Sequence, residues 1–267
     1  MTNQPTDRES TLTLNQTLGA RDRTGPVTIY HTGALMWLAV IAMLMVPLVT
    51  LIDIPIARWF HDDPFPREVG SMLDLMLFFS HGTGILLILV GILMLAPRRR
   101  WHVPRLATLA MGSGAVATIT KMFVLRPRPH VLNLDIATYD LAMLWKFDWQ
   151  LEQVASFTAS TRAFPSGSTA TATALAVGLW VVLPRGRFLF AALCLGTFMQ
   201  RLYCGAHFLS DLFGGTALGL MWAYTCFHPR LLGSIFDKME PESSSRIKRF
   251  DPDARDESGR PPAKIAA

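Results

Sequence analysis

Charge is scarce in this sequence. Only 17% of its 267 residues are Asp, Glu, Lys or Arg, against 51% hydrophobic residues, too apolar a balance for an ordinary soluble domain of this length. Cysteine is scarcer still. There are three, Cys194, Cys204 and Cys226, with no spacing suited to a metal or a disulfide framework. All three lie in or beside apolar runs, so they are expected to be small buried side chains. No internal repeat is present. The first apolar run follows about 30 polar residues and lacks a small-residue cleavage site, so it is expected to be a retained helix rather than a signal peptide. The net charge of +5 is not collected on one face or run, which argues against nucleic acid as a partner.

What the sequence does have is apolar residues in blocks. Six blocks of roughly 20 residues, the length of a helix crossing a bilayer, cover about 33–54, 72–96, 106–125, 168–184, 187–203 and 208–228. Polar residues near the ends make the third and fifth the weakest. The fold class predicted is therefore all-α, a polytopic membrane bundle of about six transmembrane helices in one domain over 33–228. Residues 1–32 form a polar N-terminal segment expected to be poorly ordered. Residues 229–267 read as a tail, and from 235 onward they carry Pro, Ser, Asp and Arg without apolar periodicity, the composition of disorder.

The basic residues orient this bundle. With the N-terminus inside, 17 Lys and Arg fall in inside segments and 8 in outside ones. The triplet Arg98-Arg99-Arg100 beside the second block is the strongest single marker. The positive-inside rule then places both termini in the cytoplasm and the long connection 126–167 outside. That connection holds Trp145, Phe147 and Trp149 among Asp140, Asp148 and Glu152, a mixture that suits either an interfacial segment at headgroup level or a packing loop. Gly215 and Gly219 have the spacing of closely packed helices. Asp74, Ser80 and His81 near the start of the second block suit an interfacial position at least as well as a functional one.

Three short segments carry chemistry, and all fall on the outer side. The first is Lys121-Met-Phe-Val-Leu-Arg-Pro-Arg128-Pro129. Lys121 and Arg128 are two helical turns apart if the helix continues, but Pro127 and Pro129 are expected to end it first. Alone, they read as two snorkelling cations. The second is Phe164-Pro165-Ser166-Gly167-Ser168, before the fourth block. Free N–H groups at such a helix start bind anions, although for this segment alone an ordinary serine cap is the better explanation. The third is Arg201-Leu-Tyr-Cys-Gly-Ala-His207-Phe-Leu-Ser-Asp211. His207 and Asp211 share a face if both are helical. A carboxylate on one ring nitrogen fixes the tautomer and frees the other nitrogen as a nucleophile. An interfacial His and Asp pair is the alternative.

Together, Lys-x6-Arg-Pro, Pro-Ser-Gly and Arg-x5-His-x3-Asp resemble the signature of the type 2 phosphatidic-acid phosphatase superfamily. The resemblance covers roughly residues 70–228, with nine defining positions in order. It implies a membrane enzyme acting on a lipid phosphate, in which Lys121, Arg128 and Arg201 hold phosphate oxygens with Ser166 and the Gly167 backbone. It further implies that His207 attacks in line to give a phosphohistidine and that Asp211 orients His207. Three cations around one phosphoryl group neutralise its charge, so no metal and no cofactor are expected. The expected partners are the lipid phosphate substrate and the bilayer. The expected location is a bacterial inner (cytoplasmic) membrane, with the site on its extracytoplasmic side.

The sequence departs from this signature at one position. The superfamily usually has a histidine after Pro-Ser-Gly to protonate the leaving group, and here Ser168 stands there. His130, next to Pro129, is the candidate substitute. A phosphotransferase using the same site and a non-catalytic phospholipid-binding relative are the alternatives, and the intact His207 and Asp211 count against the second.

Overall fold

The computed structural model describes residues 32–62, 64–136, 145–148 and 159–240. It is a helical bundle. Helix α1 spans Thr32–Thr50, α2 Asp53–His61, α3 Arg67–Leu77, α4 Gly82–Leu95, α5 Val103–Phe123, α6 Gly167–Val182, α7 Arg187–Tyr203, α8 Leu209–Phe227 and α9 Gly233–Met239. Helices α6 and α8 form the centre, packed on each other, with α1 against α8, α5 against α6, and α3 against α7.

The polarity of the bundle is inverted relative to a soluble core. Trp37 is 70% exposed and Leu95 87%, and many other large apolar side chains on α1, α4, α5 and α7 also face outward. Asp53, Arg105, Arg126, Arg162, His207 and Asp211 are buried. A helix satisfies its own backbone, so an apolar outer surface is stable against lipid tails, while charged groups stay inside with partners.

Each of the six apolar blocks lies on helix, with two differences from the expected spans. The first block ends early: α1 stops at Thr50, and a separate helix begins at Asp53. The second block breaks at Ser80–His81, where Arg67–Ser80 and Gly82–Leu95 meet at 65°. The third block, expected to be weak, is part of the longest helix, because a 3-10 turn over Pro97–His102 leads straight into α5. By length and apolarity Thr32–Thr50 and Pro97–Phe123 can cross a bilayer, and the bent pair makes a third crossing if it counts as one span. The shorter α6 and α7 have 16 and 17 residues.

Gly215 and Gly219 do what their spacing predicts. A Cβ at Gly215 would lie 2.4 Å from the Ser166 carbonyl oxygen, and one at Gly219 would lie 2.5 Å from that of Ala170. Only hydrogen at these positions lets α8 press its backbone onto the start of α6.

The tail reading is corrected at its beginning. Gly233–Met239 is helical, with Phe236 buried, because its acidic residues answer a buried arginine of α5. Arg105 pairs with Asp237 at 2.6 Å and with Glu240 at 3.1 Å, and His102 lies 3.0 Å from Glu240. Residues 1–31 and 241–267 lie outside the described residues, as do Asp140, Trp149 and Glu152 of the long connection. The cysteine expectation is corrected at one of three positions. Cys226 is buried and Cys194 half-buried, but Cys204 is exposed, on the turn after α7.

Candidate functional site

All three chemistry-bearing segments meet at one end of α5, α6 and α8. Helix α5 ends at Phe123, before the prolines, and the chain continues extended as β1 (Val124–Leu125). This short strand pairs antiparallel with β2 (Lys146–Phe147). The helix end is capped by a side chain: Arg162 Nη1 donates to the carbonyls of Lys121 and Met122 at 2.7 and 2.8 Å. The next residues form a second ladder. Arg126 N–H donates to Thr161 O and Ala163 N–H donates to Arg126 O, both at 2.8 Å, and Arg128 N–H donates to Ser160 O at 3.0 Å. The first segment is thus fixed to the strand that leads into the Pro-Ser-Gly turn.

That turn begins α6, and Ser166 is its cap. The hydroxyl of Ser166 accepts from Thr169 N–H at 3.4 Å and from Thr169 Oγ1 at 2.8 Å, and the residue is fully buried. Ser166 N–H donates to the Asp211 carbonyl at 3.0 Å, joining the turn to α8. Ser168 is half-buried, its Oγ 3.4 Å from that of Ser166. The first N–H groups of a helix have no intrahelical acceptor, so Gly167 and Ser168 present donors there.

The third segment turns at Gly205, whose φ of +61° lies in the left-handed region that glycine adopts without strain. Helix α8 starts only at Leu209, so His207 and Asp211 do not share a helical face as the spacing suggested. Instead, Asp211 sits in the first turn and reaches backward. Its Oδ2 accepts Phe208 N–H at 2.9 Å and lies 3.6 Å from His207 Nδ1. Asp211 is fully buried and His207 is 4% exposed. Burial holds the His207 imidazole down to about 4, against the pull of Asp211, with Lys121 and Arg128 adding to the downward shift. His207 is therefore neutral near pH 7.

The cations cluster around this histidine. Lys121 is within electrostatic range of Arg128, Arg201 and Asp211, and Arg201 of Arg128. Among the described residues neither the Lys121 nor the Arg128 side chain has a protein partner, and Arg128 Nε is buried. Arg201 is oriented by its neighbour: its Nε donates to Gln200 Oε1 at 2.7 Å, and Gln200 Nε2 donates to Asp74 at 3.0 Å. Asp74, exposed on α3, is linked to Arg201 by hydrogen bonds through Gln200. His130 is tied to the same loop as His207, with its N–H donating to Gly205 O at 3.1 Å and its Nδ1 2.9 Å from the same oxygen. Both histidines line one cavity of about 300 Å³, together with Tyr203, Cys204 and the apolar side chains of α2.

Sequence reasoning missed Arg126 and Asp53. Arg126, 1% exposed, donates through Nη1 to Asp211 Oδ1 and to Ser210 Oγ, the latter at 2.7 Å, and through Nη2 to Asp53 Oδ2 at 2.6 Å. Asp53 Oδ1 accepts Ser210 N–H at 3.0 Å. The guanidinium lies between the rings of Trp145 and Phe208, at 4.6 and 4.5 Å, and Trp145 also packs on Phe164. The aromatic part of the long connection is therefore packed inward at Trp145, while Phe147 is exposed. One signal was available: a lone carboxylate, Asp53, inside the apolar run Leu51-Ile-Asp-Ile54.

Comparison with known proteins agrees with this geometry. The PAP2 superfamily model matches residues 101–231, which contain all three segments. A lipid A 1-phosphatase from Rhizobium etli is 28% identical over 154 residues, covering 57% of this chain and 61% of its own length. The match thus spans about three fifths of that relative. A transmembrane PAP2-type phosphatidylglycerolphosphate phosphatase from Bacillus subtilis has the same fold, with a TM-score of 0.52 at 20% identity over 83% of this chain and 100% of that one. Over residues 101–231, where all three segments lie, this chain is similar in sequence to the PAP2 superfamily.

Proposed function

We propose that this protein is a membrane phosphatase that hydrolyses a lipid phosphomonoester or diphosphate through a phosphohistidine at His207. The observation that carries this reading is a pair of cations, Lys121 and Arg128, without a protein partner among the described residues, beside a neutral buried histidine. Both are half-buried, and a partly desolvated cation lacking a protein acceptor gains most from a ligand that supplies the counter-charge. A phosphoryl group held by Lys121, Arg128, Arg201 and the N–H groups of Gly167 and Ser168 supplies it. These charges already balance the transition state, so the residues suffice without a metal ion.

The chemistry follows from the tautomer. Asp211 faces Nδ1, which leaves the Nε2 lone pair to attack phosphorus. The N–P bond forms as the bond to the leaving oxygen breaks, and the leaving oxygen takes a proton from His130 or from water. Water then attacks phosphorus as its proton returns to the group that protonated the leaving oxygen, the N–P bond breaks, and His207 is restored. Asp211 stabilises the positive ring in between. Ser166 caps the turn by accepting from Thr169 and keeps its own O–H as a donor for a phosphate oxygen.

In the same reading α1, the bent α3–α4 pair, α5, α6, α7 and α8 are six crossings of a bacterial inner membrane, with the site on the extracytoplasmic side. The exposed Cys204 tests the orientation. A membrane-impermeant maleimide added to intact cells should label it, and labelling only after lysis would reverse the orientation. The function is tested by phosphate release from purified protein with EDTA present. The panel holds lipid A, phosphatidylglycerol phosphate, phosphatidic acid and a polyprenyl diphosphate. Release from at least one is expected. Transfer of phosphate to a lipid acceptor without release would make the protein a transferase, and no turnover of any of them would refute the reading.

A further inference from the structure

We propose that Arg126 and Asp53 are positioning residues for the reacting histidine, acting through Asp211. The inference rests on the nucleophilic role of His207 given above. It starts from the way one guanidinium is divided. Arg126 gives Nη1 to Asp211 Oδ1 and Nη2 to Asp53 Oδ2. Its single positive charge is thereby shared between two buried carboxylates. Had Asp211 taken both amino groups in a bidentate fork, it would be neutralised. With both carboxylates ionised the trio carries one net negative charge, and Oδ2 of Asp211 is the oxygen turned to His207. A ring that becomes positive when its other nitrogen binds phosphorus needs that residual charge nearby. Asp53 supplies it without touching the ring or the phosphate.

The same arginine sets the geometry. Its backbone is laddered to Thr161 and Ala163, on the way to Ser166. Its side chain reaches Ser210 and Asp211 in the first turn of α8. It belongs itself to the segment between Lys121 and Arg128. Arg126 therefore holds all three site segments in one register. Asp53, at the start of α2, anchors the other end by accepting Ser210 N–H. Trp145 and Phe208 both lie against the guanidinium, and Arg126 is 1% exposed. They exclude water, so these charges act at short range and low dielectric.

The test is a double-mutant cycle on the full-length protein, read as phosphate release from whichever lipid it hydrolyses. Asp53→Asn keeps the shape and an acceptor for Ser210 N–H but removes the charge. It should lower kcat by about 10- to 100-fold, the range for groups that orient an imidazole through a second partner, with KM within about twofold because the phosphate cations are untouched. In an Asp211→Asn background the same change should cost nothing further, because both act through one carboxylate. Arg126→Lys keeps the charge but reaches only one carboxylate, and it should fall between wild type and Arg126→Gln. Thermal unfolding of each variant accompanies the kinetics. A lowered Tm with wild-type kcat in Asp53→Asn and Arg126→Lys would make the network merely structural and overturn the proposal. So would an equal fractional loss in the Asp211→Asn background. His207→Ala separates the two ideas. If it still turns over, the nucleophile reading fails and the proposal falls with it; if it is inactive, multiplicative losses sink the network alone.

Discussion

Helix α5 carries a buried arginine near its start and another just past its end, and the two sites look alike at first sight. Arg105 pairs with Asp237 and Glu240 and lies over Phe227 and Phe236. Arg126 pairs with Asp53 and Asp211 and lies between Trp145 and Phe208. Each is one guanidinium between two carboxylates and two rings. The surroundings differ. Near Arg126 are a neutral histidine and two cations that have no protein partner among the described residues; near Arg105 are His102 and the acids it meets. Lys121 is 16 residues from Arg105, about 24 Å along a helix, so the two ends do not share a ligand. A buried ion cluster alone is therefore no sign of function. Unspent positive charge next to a reactive side chain is.

Removing one group at each end sharpens the contrast most. His207→Ala should abolish turnover, a loss of at least about 10⁴-fold, and Arg128→Ala should cost about 10²–10³-fold in kcat, both with near-wild-type Tm. Arg105→Ala should do the reverse. It strands Asp237 and Glu240 and should cost about 3 kcal/mol of stability, the low end for a broken buried pair because Asp237 keeps some exposure. Activity per folded molecule should stay. Phosphate release and thermal unfolding on the three variants decide it, and loss of kcat in folded Arg105→Ala would erase the distinction.

Ser168 sharpens the chemistry at the reactive end. Breaking a phosphomonoester expels an alkoxide and gains from a proton donor, whereas a diphosphate expels a phosphate ester already stable as an anion. A serine hydroxyl is not a general acid near neutral pH, so preference for a diphosphate such as a polyprenyl diphosphate is expected. Ser168→His should raise monoester kcat/KM selectively, by about 10²-fold if it supplies general acid catalysis. An unchanged monoester-to-diphosphate ratio would mean that His130 or water already gives the proton.

The smallest effect concerns pH. His207 is held at about 4, mainly by burial, against its ordinary 6.5. Once substrate ionisation is factored out, kcat/KM should vary by less than about twofold between pH 7 and 5 and fall only toward 4. Stability has the matching sign. Between 6.5 and 4 the unfolded chain binds a proton that the folded one refuses. The contribution of His207 to stability is whole above 6.5 and drains away as pH falls to 4. Denaturant melts of wild type and His207→Gln should diverge in that window, with the wild type losing stability more steeply. An acid limb of kcat/KM at 6.5 would contradict the buried, neutral imidazole.

Much of this was legible in the residues. The apolar blocks located the helices, because a bilayer demands long apolar runs, and Gly215 and Gly219 announced a close helix contact that α6 fills. Lys121, Arg128, Arg201 and His207 are singled out by the resemblance of their combined pattern to a family signature, and Lys121 and Arg128 lie within electrostatic range of His207. Geometry was less readable. The interval from His207 to Asp211 is the same whether or not a helix spans it, and here α8 begins in between. Ser166 alone looked more like a cap, and its hydroxyl does cap α6 while keeping its own O–H to donate. Arg126 resembled one more outside cation, since a charge beside Val124 and Leu125 does not reveal which distant carboxylates it will meet. Asp53 was hidden for the same reason, 73 positions away.

The Arg162 cap at the end of α5 has an electrical consequence. A helix terminus displays uncompensated carbonyl oxygens worth about half a negative charge, and those of Lys121 and Met122 end where the cations gather. Left bare, they would draw Lys121 and Arg128 toward themselves and push an incoming anion away. With Arg162 absorbing that dipole, the helix end is electrically silent, and the positive potential of the cleft is kept for the ligand.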